Sequence, residues 1–203
     1  MSKKYSLTIK DNFEESIAVK QSLVDKGIYK VLEEFGDLIA SSIVKGGKVM
    51  ICGNGGSAAD AQHLVAEFLV RLSSDVNRKG LPALTLLQDA STFTACSNDY
   101  SYKDIFSRNL ETLYKEHDVL LVISTSGNSK NIIEVLEVAK KLSIHSLGFL
   151  GNDGGNALNL CDQVFLVPSS NTARIQEAHI TAGHALIKYV ENKLLEEGFL
   201  NKF

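Results

Sequence analysis

The chain reads as an α/β protein: a doubly wound parallel sheet of five strands flanked by helices, with a helical extension ahead of it. Three observations predict this. Beyond residue 48, short apolar runs alternate with stretches of helical periodicity. The runs are continuously apolar, as strands covered on both faces are. Two loops rich in Gly, Ser and Asn directly follow two of those runs, where an open parallel sheet places its ligands.

The elements follow in order. Residues 1–47 form an N-terminal helical segment, and 48–203 form the α/β domain. Asp11 and Glu14 have the spacing of a capping box. Phe13, Ile17, Leu23 and Val24 then give the first helix an incomplete apolar face. Ile28, Val31, Leu32, Phe35, Leu38, Ile39 and Ile43 recur at helical spacing until Gly46-Gly47 stops them. Two helices with no strand between them cannot make a βαβ unit, so they pack on the domain's flank or on another subunit. Strands are expected at 49–52, 83–87, 119–124, 146–150 and 164–167, and helices at 57–72, 103–116, 129–142 and 173–197. The closing EEGFLNKF extends the last helix and either locks subunits together or frays, fraying being the usual habit of chain ends.

Composition narrows the function. At 203 residues, with 44% hydrophobic and 22% charged, the chain has the balance of a globular domain with a real core. A net charge of −3 leaves no electrostatic footprint for nucleic acid or an anionic membrane. No apolar run reaches the roughly 18 residues of a membrane span, and the N-terminus lacks a signal-peptide core. Cys52, Cys96 and Cys161 are scattered and make no C-x-x-C pair, so they read as buried thiols rather than disulfides, and the location as cytoplasmic.

The first loop is Gly53-Asn54-Gly55-Gly56-Ser57. Its glycines let backbone approach a ligand, and the helix that Ser57 opens offers free N–H groups and a favourable dipole to an anion. The second, Ser124-Thr125-Ser126-Gly127-Asn128-Ser129, surrounds another helix start with hydroxyls. One such loop would be an ordinary βα connection, since Ser, Asn and Gly are common caps and turn residues. Two at strand ends indicate an anion site. GNGGSA fits the loose dinucleotide fingerprint, but Asp75 precedes the next strand and Asp89 comes too late to serve as its acidic partner. A phosphate-binding G-x-x-x-x-G-K-[ST] is absent, so a monophosphate is the better fit.

Proton-moving groups follow the first loop. His63 and Glu67 are i, i+4 and share a helix face. In RIQEAHITAGHAL, Gln176 and His184 are eight residues apart, about 80° around a helix, so both can face one site. His179 lies about 140° from His184 and does not join it. Spacing leaves two uses open, a divalent-cation shell or acid–base work. His117 and His145 read as structural, and Arg71 and Arg174 as ion-pair partners. A phosphate cradle beside a carboxylate and an imidazole suits proton transfer between adjacent sugar carbons: a base takes a proton next to a carbonyl, and an acid steadies the enediolate oxygen.

GNGGSAADAQH, STSGNS and RIQEAH, in this order and spacing, resemble the sugar isomerase (SIS) domain family and its bacterial phosphoheptose isomerase branch. The resemblance runs nearly the length of the chain. It implies conversion of sedoheptulose 7-phosphate to D-glycero-D-manno-heptose 7-phosphate, the first step towards the ADP- or GDP-heptoses of lipopolysaccharide or capsule. It also implies a homotetramer with active sites at subunit boundaries and one zinc ion per subunit. By resemblance, His63, Glu67, Gln176 and His184 are the zinc ligands. Substrate contacts fall on Asn54, Gly55, Gly56, Ser57, Glu67, Asn98, Asp99, Ser124, Thr125, Ser126, Ser129 and Gln176. Glu67 resembles the general base and His184 its acid/base partner. Two other SIS branches compete. A non-catalytic one binding the replication initiator lacks counterparts of Glu67 and His184, both present here. Sugar-phosphate-sensing regulators usually add a DNA-binding module, for which this chain is expected to have no room.

Overall fold

The computed structural model describes residues 8–87 and 89–201. Among them five strands, β1 (Val49–Gly53), β2 (Ala83–Thr85), β3 (Val119–Ser124), β4 (His145–Gly151) and β5 (Gln163–Val167), form one parallel sheet ordered β2-β1-β3-β4-β5. The register runs Val49 beside Val119, Leu121 beside Leu147 and Phe149 beside Phe165. Seven α-helices surround it: α1 (Ile9–Asp25), α2 (Val31–Val44), α3 (Gly56–Leu69), α4 (Ala90–Asp99), α5 (Ile105–Leu113), α6 (Lys130–Lys141) and α7 (Thr172–Glu196).

Every residue of β1 and β3 is buried, because alternate side chains feed two different cores. Val49, Ile51, Leu121, Ile123, Phe149 and Phe165 join α2, α3 and α7 on one face. Met50, Cys52, Leu120 and Val122 join α5 and α6 on the other. Phe35 and Ile39 put α2 inside the first core, and Phe149 lies between the rings of Phe35 and Phe165. The helix pair ahead of the sheet thus lies on the domain's own flank. α1 packs on α7 yet leaves Ile9, Phe13 and Ile17 on an exposed stripe.

Several boundaries differ from the sequence expectation. α4 lies where the sequence pattern names neither helix nor strand, because its Thr- and Ser-rich ASTFTACSND lacks a continuous apolar face and contributes no buried residue. It starts instead from its cap, where Asp89 accepts from the Thr92 N–H at 2.9 Å. The first capping box is Thr8 with Asp11, not Asp11 with Glu14: Thr8 Oγ1 accepts from Asp11 N, and Thr8 N donates to Asp11 Oδ2. β2 ends at Thr85 rather than at 87: the Leu86 N–H still donates to the Ile51 carbonyl, but Thr85 Oγ1 donates to the Leu87 carbonyl at 2.8 Å as the chain turns away. α3 stops at Leu69 where the chain doubles back and Leu81 N takes the Phe68 carbonyl. α5 begins after a 3₁₀ turn at Tyr102–Asp104 and ends at Leu113, since Tyr114 is extended.

The C-terminus neither continues α7 nor frays as far as Asn201. Gly198, at φ +73°, reverses the chain, and the N–H groups of Phe199 and Leu200 both donate to the Leu194 carbonyl at 3.0 Å. Leu200 is buried in the first core, while the expectation for Lys202 and Phe203 lies outside the described residues.

His179, fully buried on α7, shows what this core demands. Its Nε2 lies 3.1 Å from the Leu150 carbonyl, to which the neutral ring donates, and Nδ1 has no partner. Burial pushes the imidazole down to about 4, against the opposing pull of that hydrogen bond. From about pH 6.5 down to about 4 the unfolded chain accepts a proton that the folded chain refuses. Stability is therefore full above that window and falls through it as pH drops, by roughly 3 kcal/mol. Urea titrations across this range should show the fall, and His179→Gln should remove that part of the slope.

Candidate active site

Strand order places both loops together. β1 and β3 are neighbours, and the crossovers leave them in opposite directions, to β2 on one side and to β4 on the other. This is the switch point at which open α/β sheets open a crevice. The first loop leaves β1 there and the second leaves β3.

Both loops lead into helices without a side-chain cap. Gly55, at φ +56°, caps α3 with backbone alone, and the Ser129 side chain caps nothing at the start of α6. α1, α4 and α7 each have a side-chain cap, from Thr8, Asp89 and Asn171, while α2 and α5 have none. In α3 the Ser57 and Ala58 N–H groups donate to the Asn54 and Gly55 carbonyls, and in α6 the Ile132 N–H donates to the Ser129 carbonyl, so the N–H groups of Gly56, Lys130 and Asn131 are those left, with the helix dipoles, to meet an anion. α3 begins at Gly56, one residue before the expected opener Ser57, which is buried, while Gly55 and Gly56 are exposed. In the second loop, Ser124 Oγ accepts from Gly127 N at 3.1 Å and Ser126 Oγ from Asn128 N at 3.2 Å. Gly127, at φ +61°, has no room for a Cβ against the Gly154 carbonyl, which locks the turn's shape. Ser126 is exposed, and Thr125 and Ser129 are half-buried.

A hydrogen-bonded pair joins the loops. Asn54 Nδ2 donates to Asn131 Oδ1 and Asn131 Nδ2 returns to Asn54 Oδ1, both at 2.8 Å. Tyr102 OH donates to the same Asn54 Oδ1 at 2.8 Å. Asn54 therefore keeps one amide N–H and its main chain for a ligand, less than a free side chain offers. Asn131, fully buried in the first turn of α6, and Tyr102 were not singled out by sequence. Asn131 lies two positions beyond the STSGNS loop, which is the only signal that pointed near it. Asn98 and Asp99 end α4 on the surface and bond to each other at 2.8 Å. Their segment meets the first loop through Tyr102.

The proton-moving groups converge from α3 and α7. His63 Nε2 lies 2.8 Å from His184 Nε2 and 3.6 Å from Glu67 Oε1. One ligand atom from each of the three lies within 4.8 Å of the others. The His63 side chain is 47% exposed and that of Glu67 18%. At 2.8 Å only one of the two Nε2 atoms can carry a hydrogen, so the imidazoles share a proton or turn two lone pairs to a common guest. Gln176 comes in from the start of α7, its amide packed so closely on Gly56 that a Cβ there would collide with it. One helical turn before His63, burial raises the Asp60 carboxyl, partly offset by His63, and Asp60 Oδ2 has no hydrogen-bond partner. Arg174 instead binds Glu177 at 2.7 Å and Glu15 at 3.4 Å, tying α7 to α1.

Comparison with known proteins places the chain in a family. A family model described as the SIS domain matches residues 12–151. The phosphoheptose isomerase of Clostridium acetobutylicum is 45% identical over 93% of this chain and 96% of its own. That of Aneurinibacillus thermoaerophilus is 43% identical over 96% of each. Among solved structures, a phosphoheptose isomerase from Francisella tularensis superposes with a TM-score of 0.86 at 35% identity, covering 91% of this chain and 96% of its own. The phosphoheptose isomerase GmhA from Neisseria gonorrhoeae gives 0.83 at 37% identity, with 91% and 97% covered. The chain belongs to the SIS-domain family and, within it, to the phosphoheptose isomerases.

Proposed function

We propose that this chain interconverts sedoheptulose 7-phosphate and D-glycero-D-manno-heptose 7-phosphate. The supporting observation is the convergence of His63, Glu67 and His184 beside two loops that end in uncapped helices. The phosphate binds the N–H groups of Gly56, Lys130 and Asn131 at the starts of α3 and α6, together with the hydroxyls of Thr125, Ser126 and Ser129. This remote grip supplies binding energy that sets the reacting carbons in place. Glu67 takes the proton from C1, next to the ketone at C2, and returns it to C2. His184 moves the proton between the two oxygens, so that the C2 carbonyl becomes a hydroxyl as the C1 hydroxyl becomes an aldehyde. Gln176, against the first loop, orients the sugar between grip and base.

Two imidazoles and a carboxylate with donor atoms this close are a zinc-type set, and Gln176 is the fourth candidate ligand. Zinc bound there would supply Lewis acidity to the sugar's oxygens. The exposed α1 stripe of Ile9, Phe13 and Ile17 and the half-open His63 suit burial against further copies. We assign them to a homotetramer with active sites at subunit boundaries, working in the cytoplasm. No helix of the described residues is long and apolar enough to cross a membrane.

Incubation with sedoheptulose 7-phosphate, following aldose formation, tests the proposal; no turnover with zinc supplied would overturn it. Glu67→Gln keeps size and hydrogen bonding but removes the base, and kcat should fall by about a hundredfold or more. A kcat near wild type would remove Glu67 from that role. Ser126→Ala trims the phosphate grip and should raise KM more than it lowers kcat, which steady-state kinetics will show. Dialysis against a chelator should abolish activity, and added zinc should restore it.

A further inference from the structure

Arg78 lies in the segment that returns from α3 to β2, and its side chain is fully buried. Its guanidinium donates in three directions. Nη2 reaches the Glu67 carbonyl at 3.0 Å, and Nη1 the carbonyls of Phe68 and Lys79, both at 3.1 Å. Nε donates to Glu191 Oε2 on α7 at 2.7 Å, and Glu191 too is fully buried. Glu191 Oε1 also accepts from Lys188 at 3.2 Å.

These contacts fall at telling places. The carbonyls of Glu67 and Phe68 belong to the last turn of α3, which has no intrahelical donors for them. Glu191 follows His184 by seven residues, two helical turns on, and lies on the same face of α7 to within about 20°. One planar group thus spans from the main chain that carries the Glu67 carboxylate to the helix face that carries His184. A buried ion pair is a poor way to add stability, since apolar residues of equal volume commonly do as well or better. A guanidinium fork adds direction, because its donors are fixed relative to one another.

We propose that Arg78, through Glu191, is a positioning residue that sets the separation of Glu67 from His184 and so the geometry of the acid–base and metal-binding cluster. The proposal rests on the function assigned above. It touches neither phosphate loop, so it acts on the head of the substrate and not on its charged tail.

Arg78→Lys keeps the charge and loses the fork. It should lower kcat at least tenfold with KM for sedoheptulose 7-phosphate within about twofold of wild type. Zinc affinity, measured by competition with a chromophoric chelator, should fall by a similar factor. The paired change Arg78→Met with Glu191→Leu removes both charges and keeps the core filled. It should melt near wild type yet show the same losses, which guards against a variant that merely fails to fold. Wild-type kcat and zinc affinity in either folded variant would overturn the proposal, as would a rise in KM that accounts for the lost activity. If the wild type binds zinc but does not turn over the sugar, the isomerase reading fails and zinc affinity alone judges Arg78. A wild type that does neither overturns both.

Discussion

One close crossing governs the geometry of the site. α3 and α7 meet where Gly183 faces Leu64, and a single methyl at Gly183 would come within 2.5 Å of the leucine Cδ2. His63 directly precedes Leu64 in the chain, and His184 directly follows Gly183. The two imidazoles therefore flank the point of nearest approach, and their 2.8 Å separation is set by a hydrogen atom where other residues carry a side chain. Leu64 is itself buried in the first core with α2 and the sheet. The crossing is thus held by packing behind it and cannot relax without opening that core.

The sheet supplies the other half of the arrangement. Parallel strands covered on both faces have little freedom to shift, and the two loops leave neighbouring strands. The anion end is made of main-chain groups and hydroxyls, which carry no full charge. The titratable groups stand on helices that start at or run past those loops. The two ends of the candidate site are thus built of different materials, fixed dipoles and hydroxyls at one and titratable side chains at the other.

Much of this was legible in the sequence because it depends on local pattern. β3 fell where its apolar run lies, and the loops followed from Gly and Ser chemistry at strand ends. The shared face of His63 with Glu67 follows from helical spacing alone. What stayed hidden depends on partners distant in the chain. α4 has no apolar stripe to betray it, only an aspartate cap. Asn131 and Tyr102 matter because both reach Asn54, and no local signal records a contact across 77 or 48 residues. Arg78 belongs to no sequence motif, and only the fold shows it buried against Glu191. The sequence pattern carries the last helix on through EEGFLNKF, and only the positive φ of Gly198 and the packing of Leu200 show that the tail folds back.

The Asn54–Asn131 pair has a consequence for how such a chain can evolve. Each amide satisfies the other as donor and as acceptor at once, and Asn131 does so with no access to water. Replacing Asn54 strands the Asn131 amide in the interior, so a drift that changes that position is opposed until Asn131 changes with it. Across descendants of this sequence the two sites should therefore travel as a couple, and a lineage that loses both must find another way to keep its two loops in step.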